Sequence, residues 1–295
     1  MEESGSWRHP IDLVNTLDNG FKELPEALDN GKKARVRVQT QDSHHKDRNT
    51  LVSVLLGDNP QLIVNTMLDE LRQGTTEEEL ASTVCYASAL RIAQFHTQNE
   101  FSDWDTALHT FTFANAVHQG LRRISSLDLL RGVFDAAMRI YLNRFLNIPP
   151  ARLPNSRSTE EKNGNDINGS GKFHDVKTLL KELPTLLDKQ QQINQAGQLV
   201  ADYLYSSGNS ELLLDKLGNL LLREDRNFHS IQMTEAAFRQ FSILSCEEDT
   251  FNSQHANILI AAARYLAAHS PTTRSQGRTY QIATQLHHGE DLFEE

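Results

Sequence analysis

The chain has 295 residues and a formal net charge of −10, with 38% hydrophobic and 23% charged residues. This is the composition of a globular protein with a sizeable core, and no segment approaches the roughly 20 uninterrupted apolar residues that cross a bilayer. Binding to a nucleic-acid backbone needs a concentrated basic surface, which the acidic balance argues against. The polar start of the chain is unlike a secretory signal. We therefore expect a cytoplasmic protein that binds neither membranes nor nucleic acid.

The first half of the chain changes character at about residue 50. Residues 1–50 are polar and predict an irregular N-terminal segment, with a brief strand at 34–38. From Leu51 onward, apolar residues recur every three or four positions, which is the helical period. Thr76 and Glu79 have the spacing of a capping box at a helix start. We expect a first helical repeat over residues 51–154.

A second helical region follows a polar linker. Residues 155–172 are rich in Gly, Asn and Ser and carry no apolar period, so they predict a flexible linker. The helical period resumes afterwards and predicts a second repeat over residues 173–295. The predicted fold class is therefore all-α, a helical bundle of two pseudo-repeated halves.

Two segments, one from each half, resemble each other. Residues 108–119 (LHTFTFANAVHQ) align with residues 228–239 (FHSIQMTEAAFR), so that His109 matches His229 and Asn115 matches Glu235. An alanine-rich helical segment follows each of them. The sequence therefore predicts that the two halves are copies of one duplicated unit.

A carboxylate precedes each matched histidine by four residues. Asp105 stands before His109, and Asp225 stands before His229. On a helix this spacing places the carboxylate on the same face as the imidazole. Such a carboxylate orients the ring and raises its basicity, as metal ligands and general bases require. We therefore predict that Asp105 and Asp225 are catalytic residues that orient the histidines.

The twelve histidines of the chain suggest a metal centre, because imidazole is the commonest metal ligand and the usual general base. If the two repeat helices face each other across the core, their polar side chains converge, as in the carboxylate–histidine sites of helical bundles. Iron is the expected metal, with open positions for dioxygen and a small organic substrate. The predicted ligands are His96, His109, His118, His229 and Glu235.

Other interpretations of these residues stay open. The matched histidines are also compatible with buried, hydrogen-bonded groups that only fix packing. The protein would then be a non-catalytic helical scaffold or a small-molecule binding module. A zinc hydrolase and a haem protein are further alternatives. His96 also fits an exposed helix end, and His269 fits a C-terminal capping residue.

Three strings of the chain resemble a known family. They are LRIAQFHTQNEFSDW at 90–104, residues 108–122, and LLREDRNFHSIQMTEAAFRQ at 221–240. They resemble the helical region of bacterial Rieske (2Fe-2S) domain proteins, and the similarity extends from about residue 60 to the C-terminus. A Rieske module binds its cluster through paired Cys and His ligands. Those motifs do not occur in this sequence, so no iron–sulfur cluster is expected.

The resemblance implies a redox setting. Together with the matched Asp–His pairs, it predicts a metal-dependent, non-haem iron oxidoreductase that acts on a small organic substrate. The expected partners are that substrate and an electron-donor protein, and association into a homo-oligomer is an open alternative.

Overall fold

A computed structural model of the chain describes residues 12–38, 48–154, 176–206, 208–224, 227–247, 251–272 and 276–289. Over these residues the structure contains twelve α-helices and no strand. The prediction of an all-α helical fold is therefore confirmed. None of the described helices combines the length and apolar character needed to cross a membrane.

The chain divides into two compact units. Unit 1 comprises Met1–Arg91 and Thr106–Ile148, and unit 2 comprises Ile92–Asp105 and Pro149–Glu295. The short segment 92–105 thus belongs with the C-terminal part of the chain.

The predicted boundaries differ from this division, because they place residues 92–105 in the first repeat, 51–154. The duplication that relates the first repeat to the second, 173–295, stays a prediction. The predicted linker at 155–172 lies outside the described residues.

Six helices contribute to unit 1, two of which continue into unit 2 at one end. Their starts follow from local capping. The Asn59 side chain accepts a hydrogen bond from the Leu62 amide, with Pro60 as the first helical residue. The predicted capping box is confirmed, since the Glu79 carboxylate accepts from the Thr76 amide at 2.7 Å. The helices are α1 Leu13–Val38, α2 Arg48–Leu55, α3 Pro60–Arg72, α4 Glu77–Ala93, α5 Phe101–Leu121 and α6 Leu127–Asn143.

The prediction of irregular structure in residues 1–50 is wrong over α1, which has 26 residues and contains the segment predicted as a strand. The residues that α1 buries recur at helical spacing and are mostly small. These buried residues are Thr16, Gly20, Leu24, Ala27 and Gly31. Large apolar residues also recur every three or four positions, at Leu13, Leu17, Phe21, Leu24 and Leu28, so the helical period is present in the sequence and the prediction overlooked it.

Small residues allow α1 to approach α3 very closely. A Cβ atom added at Gly31 would lie 2.1 Å from the carbonyl oxygen of Leu71. A Cβ atom added at Gly20 would lie 2.7 Å from Cγ1 of Val64. At Gly31 the obstacle is backbone, which cannot rotate away. The two glycines are therefore required by the packing of α1 on α3.

Gly31→Ala is expected to lower the free energy of unfolding by about 1–3 kcal/mol, because the added methyl group forces α1 away from α3. Thermal unfolding followed by circular dichroism measures the effect. The matched control is Gly218→Ala. Its added methyl group meets only Phe238 at 4.0 Å, so a gain of about 0.5–1 kcal/mol is expected there. Equal melting temperatures for Gly31→Ala and the wild type would contradict the close packing.

Six further helices lie in unit 2, where α11 is the central element. Each of its residues from Gln254 to Ala267 is buried. The α11 helix packs against α7, α8 and α10. A capping box between Asn252 and His255 fixes its start. The helices are α7 Val176–Leu187, α8 Ile193–Tyr205, α9 Ser210–Arg223, α10 Phe228–Glu247, α11 Ser253–Ala268 and α12 Gln276–His288.

Arg264 of α11 anchors the segment 92–105 within unit 2. Its side chain is 1% exposed, and its Nη2 atom donates to the backbone carbonyl of Phe95 at 2.6 Å. Its Nη1 atom donates to Oδ1 of Asn194 on α8, also at 2.6 Å. Burial lowers the pKa of Arg264 to about 10, so the guanidinium stays charged at neutral pH. The segment is therefore fixed by charge-assisted hydrogen bonds in the core.

An aromatic group fixes the start of α5. The Trp104 ring is 1% exposed and lies edge-on to the rings of Phe95 and Tyr265, at centroid distances of 5.0 and 6.5 Å. Aromatic pairs favour this geometry. The next residue is Asp105, whose position in unit 2 follows from this packing.

Candidate functional site

The carboxylate of Asp105 is the centre of a polar cluster in unit 2. The hydroxyl of Tyr265 donates to Oδ1 at 2.5 Å. The Nε2 atom of His269 lies 3.3 Å from Oδ1, and Nδ1 of His229 lies 3.5 Å from Oδ2. We call these four residues the Asp105 cluster. Three helices supply them, so the cluster is a product of tertiary structure.

The end of α11 positions two of the four side chains. Tyr265 and His269 are four residues apart, so both point to the same side, and their rings stack at 4.2 Å. His269 is the C-cap residue of α11, as the sequence suggests. The third side chain, His229, is the second residue of α10.

Tyr265 acts as a fixed donor to Asp105. Burial, and then its hydrogen bond to the carboxylate, raise the pKa of the Tyr265 hydroxyl well above its ordinary value. The hydroxyl is therefore protonated and donates to Oδ1. This bond satisfies one acceptor position of the carboxylate and leaves the others free for further donors.

His269 presents an unpaired acceptor to the same carboxylate. Its Nδ1 atom lies 2.9 Å from the backbone carbonyl of Tyr265, which can only accept, so we assign the ring proton to Nδ1. Burial lowers the pKa of His269 below 6.5, although the Tyr265 carbonyl and Asp105 act in the opposite direction. The ring is thus neutral at neutral pH. Its Nε2 lone pair is buried, makes no hydrogen bond and faces a carboxylate oxygen.

Two exposed phenylalanines border the Asp105 cluster. The Phe101 side chain is 64% exposed, with its ring 5.3 Å from that of His269. The Phe228 side chain is 66% exposed, with its ring 5.6 Å from that of His229. The side chains of Asp105 and His229 are 25% and 31% exposed, so both are partly accessible to solvent. The arrangement is a small polar site with an apolar rim.

His269 also lines an internal cavity of about 10 Å³, together with Glu224, Ser230 and Thr272. This volume holds about one water molecule. The Glu224 carboxylate already accepts hydrogen bonds from Thr272, from its amide at 2.8 Å and its hydroxyl at 2.9 Å. An organic molecule would therefore have to reach His269 from the exposed side, where Phe101 lies.

The structure brings together only some of the predicted site residues. Asp105 and His229 meet in unit 2, although the sequence pairs Asp105 with His109 and His229 with Asp225. Asp225 lies outside the described residues. The imidazole beside Asp105 is thus that of the other predicted repeat helix.

The remaining predicted ligands have other surroundings. His118 is completely buried in unit 1. The Nδ1 atom of the half-buried His96 accepts from the Gln98 amide at 3.2 Å. Glu235 pairs with Arg239 at 2.5 Å. No three His, Cys, Asp or Glu side chains within the described residues are arranged to hold a metal ion. Metal binding by the predicted set stays a prediction.

An interior position was expected for His109 and Glu235, and this expectation is wrong, since both side chains are exposed. His109 and Ala116 lie on the solvent side of α5, while residues between them such as Phe111 face the core. Glu235 belongs to a matching exposed stripe of α10. His109 and Glu235 therefore lie on the ordinary solvent faces of their helices.

Tyr265 and His269 are the site residues that the sequence reasoning missed. Their spacing of four residues at the end of an alanine-rich helix is the one sequence feature that points to them. This spacing does not by itself indicate a site, because capping already explains a histidine at the end of a helix.

No protein-family model, curated protein or solved structure matches this chain. The resemblance to the helical region of Rieske domain proteins therefore stays a prediction. Any functional proposal has to rest on the side chains of the site itself.

The lowered pKa of His269 makes stability depend on pH. The unfolded chain takes up a proton near the ordinary pKa of 6.5, whereas the folded state resists it. The contribution of His269 to the free energy of unfolding should therefore be complete above pH 6.5. It should decline as the pH falls from 6.5 toward the lowered pKa, and the decline should end below that pKa. The groups facing the ring are Asp105, His229, the Tyr265 carbonyl and, across the cavity, Glu224.

Denaturant unfolding at about pH 7.5 and pH 5.5 tests this expectation. His269→Asn retains a donor in place of Nδ1 and removes the titrating ring, so the loss of stability between the two pH values should shrink. His287→Asn replaces an exposed histidine of α12 and should keep the wild-type difference. The idea fails if both variants lose the same amount as the wild type.

Proposed function

We propose that this protein is a helical binding module whose ligand-binding site is the Asp105 cluster. One observation carries the proposal, the buried Nε2 lone pair of His269 that faces the Asp105 carboxylate without a hydrogen bond. Two acceptors that face each other repel, and Nε2 of His269 has no donor. A ligand that donates to both would remove this conflict.

The energetics favour a ligand at this place. An unsatisfied buried acceptor costs about 1–3 kcal/mol. A bound donor recovers that free energy, because it satisfies Nε2 while the Tyr265 hydrogen bond to Oδ1 stays in place. The folded structure bears the cost in the absence of the ligand, so binding begins from a prepared site.

The rim supplies apolar contact area. Phe101 and Phe228 expose their rings beside His269 and His229, and apolar side chains around a few polar groups are typical of small-molecule sites. Exposed phenylalanine side chains are unfavourable in water, and a ligand with an apolar body would cover them. The combination suits a small amphipathic molecule with its polar end directed at Asp105.

The metal-dependent iron oxidoreductase predicted from the sequence is a second candidate function. One observation favours it: Asp105, His229 and His269 are two histidines and a carboxylate, the residue types of non-haem iron sites. Metal analysis of the purified protein tests this candidate. Stoichiometric iron that His229→Ala and His269→Ala remove would support it, and an electron-donor partner would then become relevant. Metal-free protein that gains no metal on titration would contradict it.

A fragment screen by NMR tests the binding module. Protein labelled with ¹³C in its histidine rings is titrated with small amines, amides, alcohols and phenols. We expect the fragments that bind to shift the rings of His229 and His269, because the ligand lies between them, and to leave His287 unchanged. The His269→Asn variant should lose these shifts, and the His287→Asn variant should retain them. Fragments that bind the His269→Asn variant equally well would refute the site.

A further inference from the structure

The chemistry of the Asp105 cluster also indicates the class of its ligand, an inference that rests on the proposed function. We propose that the cluster binds a small organic cation, with an ammonium or guanidinium group directed at Asp105 and an apolar body between Phe101 and Phe228.

Among the described residues, no lysine or arginine side chain is paired with the Asp105 carboxylate. The carboxylate interacts instead with Tyr265, His229 and His269. The whole chain carries a net charge of −10, so its long-range field also attracts cations. A cationic ligand would therefore form an ion pair that the described residues do not provide.

Acceptors dominate the atoms that a ligand would meet. The Asp105 carboxylate retains free lone pairs beyond the Tyr265 bond, and Nε2 of His269 is an acceptor as well. An alkylammonium group carries three donors and no acceptor, and a guanidinium group carries only donors. Either group can donate to the carboxylate and to Nε2 simultaneously. A carboxylate or phosphate ligand would instead add acceptors to a site that already has too many.

The rim suits the same ligand class. Aromatic faces attract ammonium and guanidinium ions through the ring quadrupole. Five rings lie in or beside the cluster, since Phe101 contacts His269 of the stacked Tyr265–His269 pair and Phe228 contacts the ring of His229. An organic cation with an apolar body would therefore gain both electrostatic and apolar contacts.

A bare metal ion fits these atoms less well. The Oδ1 atom nearest to His269 Nε2 already accepts the Tyr265 hydroxyl proton at 2.5 Å, which occupies one of its lone pairs. No described trio of His, Cys, Asp and Glu has metal-holding geometry. A metal ion also leaves the exposed phenylalanine rings uncovered. Zinc binding in place of an organic cation is an outcome of the experiment that would contradict the proposal.

The test uses two probes of nearly equal shape, benzylammonium and benzyl alcohol, on the full-length protein. Isothermal titration calorimetry gives both affinities, and Zn²⁺ is titrated separately. We expect benzylammonium to bind at least about tenfold more tightly, because its hydrogen bonds to the carboxylate are charge-assisted. Added salt should weaken the binding of benzylammonium and leave that of benzyl alcohol unchanged.

Substitutions identify the residues on which the preference for benzylammonium depends. Asp105→Asn retains an oxygen for Tyr265 and removes the charge, so it should abolish the preference for the cation. His269→Asn should weaken the binding of benzylammonium, and so should His269→Gln, because its amide can donate to Asp105 in place of the ligand. His287→Asn is the matched control and should bind as the wild type does. Far-ultraviolet circular dichroism verifies that each variant is folded.

The outcomes separate the ligand class from the site. Equal binding of both probes, lost in His269→Asn, would overturn the cation and retain the binding module. Zinc binding that His269→Asn abolishes, without binding of benzylammonium, would overturn the organic cation in favour of a metal. If neither probe nor zinc binds, the cation is again overturned, and the fragment screen decides separately on the binding module.

Discussion

Unit 2 depends on a clamp formed by two adjacent residues of α11. Arg264 holds the backbone of Phe95, and Tyr265 holds the side chain of Asp105, so the segment 92–105 is fixed near both of its ends. A buried guanidinium is tolerated only when hydrogen bonds compensate its lost hydration. Arg264 has that compensation in two bonds of 2.6 Å. Because the clamp places Asp105 beside α10 and α11, every contact of the site follows from it.

The sequence predicts the helices of this protein well, because large apolar side chains at a period of 3.6 residues leave a clear pattern. Capping is equally local, and Thr76 with Glu79 is confirmed for that reason. The α1 helix was overlooked although Leu17, Phe21, Leu24 and Leu28 have helical spacing, whereas the close approach to α3 that Gly20 and Gly31 permit leaves no such pattern. A hydrophobic pattern consists of apolar side chains, so it gives no signal for a glycine that permits close packing.

The sequence predicts two of the site residues. It does not predict their partners, because these contacts join residues that are far apart in the chain. Asp105 and His229 stood out through helix spacing, but their partners come from distant parts of the chain. Asp105 and Tyr265 are separated by 160 residues, and no local rule connects them. The pairing of Asp105 with His109 assumed a functional role for a stripe that faces solvent. The neighbours of a carboxylate are determined by tertiary contacts. A single sequence does not specify these contacts.

The contact between His269 and Asp105 sets two acceptors face to face, 3.3 Å apart. The Nε atom of Arg264 is also buried without a hydrogen bond, so an unpaired atom alone does not mark a site. A cluster needed only for packing would be satisfied by a donor at position 269, and a glutamine or lysine there would supply one. A histidine whose Nδ1 is occupied by the Tyr265 carbonyl cannot do so while it is neutral. The facing pair of acceptors, rather than the unpaired atom alone, therefore supports the proposal of a missing donor.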